Sequence, residues 1–414
     1  MNLIDNRNSP SWTSAKVSDK DNYMSRTEDR GTRFRHHSPR RHPIRTLVVV
    51  AILLGVAGVV VARVRQPRAF AAAPVTTLAH SSSHVLATVP LTGAQNVSWS
   101  PSISVQLTQP LRKAAQLPHL TPSVKGRWFW RSTRTIIFHP SERLAPGMNY
   151  TISIPEGMRG AAGSATTVHF TVALPSITRL QELLSELDYL PVTFAPSASS
   201  VSTALVSEPT TPATIPLSAQ NGLFAWRFSH TPPTLQGLFR PGYWSVLDQG
   251  AVMNFEAAHG LRVDGVPSAP VWSALLNAVA QRQVDSLPYR YLLTSEALPE
   301  RLMVWSNGVI IYTTLVNTGV SGATTPVGTW PVSLRFASQT MSGTNPNGVH
   351  YVDPGIRYIA YFHGSDAVHG YQRASYGFPQ SAGCVELPLA AAKIVYGFDP
   401  LGTLVTVISK PLAS

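Results

Sequence analysis

One cysteine, Cys384, stands in a chain of 414 residues, and that scarcity excludes several roles at once. No intrachain disulfide can staple the fold, and a lipid anchor is excluded because the thiol lies near the C-terminus rather than behind an apolar N-terminal run. Charge is scarce too. Only 13% of residues are charged against 34 prolines and 28 glycines, which favours short strands and many turns over long helices. Basic residues interleaved with aromatics are also missing. The net charge of +12 splits into ten Lys/Arg against five Asp/Glu over residues 1–45 and a thin excess elsewhere, which speaks against a nucleic-acid partner. At this length the chain divides into two to four domains.

Residues 1–45 are polar, lack apolar periodicity and read as a disordered basic tail on the cytoplasmic side. Thr46 to Ala62 then runs seventeen residues without a charge, reaching roughly 26 Å as a helix, so residues 46–64 are expected to cross a membrane once with Arg63 and Arg65 snorkelling. A cleaved signal is the alternative, with small residues around Ala69 to Ala73, but a forty-five-residue leader is long for one. The basic excess before the span places the tail inside and the bulk of the chain at the wall side of the plasma membrane. Residues 65–87 read as an Ala/Ser/Thr linker.

Over 88–174 short alternating segments at Val97–Trp99, Ile103–Leu107, Arg127–Trp130, Thr135–Phe138 and Tyr150–Ile154 are separated by turn clusters, as in a β-sandwich. Trp128 and Trp130 share one face and are expected in its core. Residues 175–284 change period. Leu180, Leu183, Leu184 and Leu187 follow Ser176 at helical spacing; a second helix is expected over Gly250–His259, and a third from Ser268 with Pro270 in its first turn. From Tyr289 the period returns to two. Val304-Trp305 and Val309-Ile310 flank Asn307-Gly308, the strongest short hairpin signal, and strands at Val332–Phe336, Tyr358–Phe362 and Thr403–Ile408 with a helix at Leu389–Tyr396 complete a β-rich domain over 285–409. The chain is therefore mainly β and multidomain.

Cys384 sits in Ser381-Ala382-Gly383-Cys384-Val385-Glu386-Leu387. A nucleophilic thiol needs a base, and no histidine follows it, so the base lies upstream; His369 and His363 are nearest. That order excludes a papain-like arrangement. The glycine before the cysteine lets backbone N–H groups approach a developing oxyanion.

These residues carry resemblances. Pro90-Leu91-Thr92-Gly93 and Leu144-Ala145-Pro146-Gly147, closing with His169-Phe170-Thr171-Val172, resemble bacterial Ig-like domains. Leu180-Gln181 through Tyr189-Leu190-Pro191, His259-Gly260-Leu261 with Asp264-Gly265-Val266, and Val271-Trp272 with Leu275-Leu276 resemble the three-helix peptidoglycan-binding domain, interrupted at about 191–244. His369-Gly370-Tyr371, followed by Pro379-Gln380-Ser381 and Gly383-Cys384-Val385-Glu386-Leu387-Pro388, together with Thr325 to Thr329, resembles the L,D-transpeptidase (YkuD) domain.

The last resemblance implies Cys384 as nucleophile, His369 as base, the Gly370 carbonyl as its orienter, and the N–H groups of Gly383 and Cys384 as oxyanion hole. Ser381, Glu386, His363 and Tyr361 are expected on the substrate path, with Glu386 holding a substrate ammonium. It implies no metal or cofactor, and peptidoglycan stem peptides as donor and acceptor: attack on the third, diamino-acid residue, loss of D-alanine, and a 3→3 cross-link. Water as acceptor would give an L,D-carboxypeptidase, and a protein amine would attach that protein to the wall. Sortase is the nearest rival, but no arginine follows Arg373. The reading from another class is a non-catalytic wall-binding protein. The sequence leaves the oligomeric state open.

Overall fold

The computed structural model describes residues 85–110, 116–155, 158, 166–197 and 211–412. The expected tail, the span at 46–64 and nearly all of the linker lie outside the described residues. Among the described residues no helix is long and apolar enough to cross a membrane.

The first eight strands build a sandwich because their apolar residues alternate. Strands β1 (Val85–Val89), β3 (Ile103–Leu107), β6 (Thr135–Pro140) and β5 (Gly126–Ser132) form one sheet in that order; β2 (Ala94–Val97), β8 (Thr167–Val172), β7 (Asn149–Ser153) and β4 (His119–Thr121) form the other. Ile103, Val105 and Leu107 on one sheet meet Ile152, Phe170 and Val172 from the other in one buried cluster.

Three expectations change here. β1 occupies the end of the expected linker. The strand placed at Val97–Trp99 lies earlier, and Trp99 instead donates its indole N–H to the Ala173 carbonyl (2.8 Å). Of the two tryptophans expected in the core, Trp128 packs on Phe138 (5.2 Å between rings) but Trp130 is 44% exposed, because β5 is an edge strand.

The helical module follows. Ser176 caps α1 (Ile177–Glu186), accepting from the Arg179 N–H, and Leu180, Leu183 and Leu184 are wholly buried, each contributing about 2 kcal/mol. The insertion is structured where it is described: β9 (Val192–Pro196) and β10 (Gly222–Trp226) pair as a hairpin, and a short α2 (Pro233–Gln236) follows. Arg179 ties α1 to it, pairing with buried Glu182 (2.6 Å) and donating to the Pro216 carbonyl.

Helix α3 (Val246–Ala258) starts one turn before the expected Gly250, because Ser245 and Asp248 form a capping box. Gly250 is interior to it. A Cβ there would lie 2.6 Å from the Gly402 carbonyl oxygen, so the glycine permits close packing on the next domain. α4 (Ala269–Gln281) begins at Ser268 as expected, with Pro270 in its first turn.

The last domain has two sheets. β11 (Arg290–Ser295), β12 (Arg301–Ser306), β13 (Val309–Leu315), β14 (Gly328–Pro331) and β19 (Leu404–Ile408) order as β13-β12-β11-β19-β14. β15 (Leu334–Thr344), β16 (His350–His363), β17 (Asp366–Gly370) and β18 (Val385–Leu387) form the second, and α5 (Leu389–Tyr396) follows β18. Asn307 and Gly308 both take positive φ (46° and 94°), as the expected hairpin turn requires. The strand expected at Val332–Phe336 is broken, since Val332 and Ser333 carry the chain from one sheet to the other.

Alternation then sets the layers. Tyr291, Leu293, Met303 and Trp305 face the helices and join their core, while Leu292, Leu302, Val304, Val405 and Val407 pack on the other side with Val368, Val385 and α5. Helical module and five-stranded sheet thus share one core.

Candidate active site

A parallel pairing creates the site. β17 and β18 run side by side with Val368 opposite Val385 and His369 opposite Glu386, so Cys384, one residue before β18, falls beside Ala367, two residues before His369 and on the same face of β17. Parallel neighbours need a crossover, and here it is the loop 371–384. That loop delivers the thiol.

Cys384 is half-buried. Its Sγ donates to the Ser365 carbonyl (3.8 Å), and burial pushes the thiol up to about 12, with the Asp366 and Glu386 carboxylates adding to the rise and the Ala367 N–H opposing it. The resting group is a neutral thiol. His369 is 4% exposed, and burial lowers its pKa below the usual histidine value. Its Nδ1 lies 3.3 Å from the Gly370 carbonyl oxygen, which can only accept, so the proton is on Nδ1 and Nε2 carries the lone pair. Such an imidazole can take a proton at neutral pH.

Cys384 and His369 line one groove of about 240 Å³ with Tyr351, Asp353, Tyr371 and Arg373. Gly370 has a packing reason to be glycine. A Cβ there would meet Leu389 Cδ2 at 2.9 Å and Ala392 Cβ at 3.0 Å on α5.

The loop that carries Cys384 is fixed from beneath. Buried Glu300 accepts from the Thr318 N–H (2.7 Å) and hydroxyl (2.6 Å), and the Thr318 carbonyl accepts from the N–H of Ser381 (2.9 Å). Thr325 receives the Gly319 N–H (2.9 Å) and donates to the Gly383 carbonyl (2.8 Å), which gives the Thr325 segment of the motif its role. Gly383 adopts φ 120°, and a Cβ there would stand 2.5 Å from Asp366 Oδ1; only glycine suits it.

The expected substrate residues separate. Ser381 does not line the groove: it is 3% exposed, donates to the Cys384 carbonyl (2.6 Å) and receives the Gly383 N–H (3.1 Å). In this arrangement the Gly383 N–H, expected in an oxyanion hole, is engaged inside the loop. Glu386 lines the groove, but both carboxylate oxygens accept from Arg373, at 2.8 Å each, so the free charge expected to meet an ammonium is an ion pair. His363 turns away to the Asp366 carboxylate (3.1 Å) and lies tilted against Trp330 (4.6 Å between rings), outside the groove. Tyr361 packs in the small cluster that includes Cys384 and donates its hydroxyl to Gln339 (3.1 Å).

Sequence reasoning missed Tyr351, Asp353 and Arg373. A signal existed for Arg373, the one charged residue between Gly370 and Cys384. Asp353 left one as well, standing before Pro354-Gly355 in a strand.

Residues 290–407 match the family model of the L,D-transpeptidase catalytic domain. Residues 80–172 match the family model of the bacterial Ig-like domain, a match that begins before β1 and accounts for its place in the sandwich. No curated protein matches the chain. Among solved structures, L,D-transpeptidase 3 from Mycobacterium tuberculosis is 12% identical over 79% of this chain and 99% of its own, with a TM-score of 0.27. An L,D-transpeptidase from Mycobacterium smegmatis gives the same figures, 12%, 79%, 99% and 0.27. The catalytic domain of the E. faecium L,D-transpeptidase is 22% identical over 30% of this chain and 100% of its own, again at a TM-score of 0.27. Similarity at this level does not place individual residues, and the roles above rest on the geometry of this chain.

Proposed function

We propose that this chain is a cysteine L,D-transpeptidase that forms 3→3 peptidoglycan cross-links through a thioester. What carries the reading is the groove that holds Cys384 and His369 together, with His369 pinned through Nδ1 to the Gly370 carbonyl.

In the first step His369 Nε2 takes the thiol proton while Sγ attacks the carbonyl of the diamino acid in a tetrapeptide stem. Proton removal coupled to attack suits a thiol pushed up to about 12. The oxyanion is held by the Cys384 N–H, since the Gly383 N–H is given to Ser381. D-alanine leaves with the proton from His369, and the thioester remains. An amine of a neighbouring stem then attacks it; the C–N bond forms, the C–S bond breaks, and sulfur recovers a proton through His369. No step calls for a metal or cofactor.

The same proposal extends to the rest of the chain. The uncharged run at 46–62 anchors it in the plasma membrane with the N-terminus inside, and the helical module holds the glycan side of the wall; the sequence patterns described above support both.

The test incubates the full-length protein in detergent with disaccharide-tetrapeptide and follows D-alanine, cross-linked dimers and the mass of Cys384. Wild type should form an acyl adduct and dimers, and Cys384→Ala neither. Tripeptide without dimers would reassign the activity to L,D-carboxypeptidase, and no adduct with no D-alanine would end the enzyme reading.

A further inference from the structure

A cross-linking enzyme must choose an acceptor, and the choice is made by whatever meets the incoming amine. His369 delivers a proton to the departing D-alanine amine and takes one from the attacking amine, so both amines occupy the same side of the thioester, the groove that His369 lines. The carboxylates near Cys384 can therefore be sorted by position and partner.

Asp366 is near the sulfur but outside the groove and bonded to His363. Glu386 is in the groove, but Arg373 Nε and Nη2 occupy both its oxygens, so that pair is close to neutral as a unit. Asp353 is in the groove and, among the described residues, no cation stands within ion-pair distance of it; Arg373, held by Glu386, feels its charge only across the groove. Oδ2 of Asp353 accepts only the hydroxyl of Tyr371 (3.2 Å), the ring that stands edge-on to His369 (6.2 Å between centroids). The Asp353 charge also acts on His369, favouring its protonated form.

The backbone singles out the same residue. Along the β15/β16 pairing Met341 faces Asp353 and Gln339 faces Ile356, so one residue separates the partners on β15 and two, Pro354 and Gly355, separate them on β16. This is a bulge, with Gly355 at φ 73°, within the fourteen-residue β16 and immediately after Asp353. Bulges beside active sites re-aim a side chain, and a proline fits there because no ladder N–H is required of it. Asp353 is the side chain aimed.

We propose that Asp353 holds the ammonium of the acceptor amine, the role the sequence assigned to Glu386, and so selects cationic acceptors; this rests on the L,D-transpeptidase reading above. With its ammonium drawn to Asp353, the acceptor is held in the groove that His369 also lines. One proton passes through His369 to the leaving sulfur, the second is lost to water, and the new amide is neutral.

The experiment measures transfer from the thioester in full-length wild type, Asp353→Asn and Asp353→Glu, with tetrapeptide as donor. The acceptors are a stem tripeptide carrying a free side-chain ammonium and hydroxylamine, which is uncharged at pH 7.5. Asp353→Asn should raise KM for the tripeptide about ten-fold or more, as expected for losing a charged partner, while the hydroxylamine rate moves far less. Asp353→Glu should recover part of the tripeptide KM. Formation of the thioester in each variant, read by mass spectrometry, shows that the site is assembled. An unchanged tripeptide KM in Asp353→Asn, or equal losses for both acceptors, overturns the proposal. Absence of a thioester in wild type instead overturns the function it rests on, and the proposal with it.

Discussion

The last domain carries the dipeptide His-Gly twice, six residues apart, and the two copies have opposite fates. His369 is 4% exposed on β17, its Nδ1 against a backbone carbonyl and its pKa lowered by burial. The side chain of His363 is 43% exposed, at the end of β16, and its Nδ1 meets the Asp366 carboxylate. Their glycines differ equally: Gly364 takes φ 53° in an open turn, and Gly370 is needed for contact with α5. The proposed base is set apart by its surroundings, since the dipeptide itself is shared.

The contrast breaks most sharply at the imidazoles. His369→Ala should slow thioester formation by about 10²–10⁴-fold, while His363→Ala leaves the rate near wild type; release of D-alanine reads both. Next comes Gly383, where the two environments meet against Asp366. Gly383→Ala forces a side chain into φ 120° and into Oδ1 of Asp366, and should cost about 1–3 kcal/mol in thermal unfolding together with most of the activity.

The paired glycines sharpen the comparison further. Gly370→Ala crowds Leu389 and Ala392 and should cost about 1–3 kcal/mol, against about 1 kcal/mol for Gly364→Ala, which meets only backbone strain. Calorimetry of the two variants would reverse the contrast if Gly364 proved the costlier.

A pH profile separates the same pair. His369 has a folded pKa below 6.5, so its catalytic form persists as pH falls through 6.5, and the acid limb of kcat/KM should lie below that value and stay put in His363→Ala. Between the folded value and 6.5 the unfolded chain binds the proton that the native state refuses, so His369 also makes stability fall as pH drops there. The smallest effect is expected at Asp366→Asn. Its carboxylate helps raise the Cys384 thiol, so removing the charge should shift thiol alkylation to slightly lower pH.

Much of this was legible because local chemistry and tertiary structure agree. Asn307-Gly308 makes the turn its residues demand, Ser176 caps α1, and α5 occupies Leu389–Tyr396 as expected. Of the β15/β16 hairpin only the base, at Val332–Phe336 and Tyr358–Phe362, was legible; toward the tip the exposed Ser338, Thr340, Ser342 and Thr344 alternate with Gln339, Met341 and Gly343, which gives too little apolar contrast to mark a strand. The fate of Glu386 was hidden for another reason: its partner Arg373 is thirteen positions away on the crossover loop, and only the folded loop brings the two together. Ser381 was recognised by motif, but its bonds run inward to its own loop, a direction that residue identity does not encode.

The contact between Gly250 and Gly402 has a mechanical meaning. Each glycine's missing side chain leaves room for the other's carbonyl, within 2.6 Å and 2.4 Å of where a Cβ would stand, so α3 and the turn before β19 touch backbone to backbone above a shared core. There is no slack at this joint. Wherever the helices stand, the domain that carries Cys384 is set at a fixed distance and bearing from them, like a tool on a rigid arm.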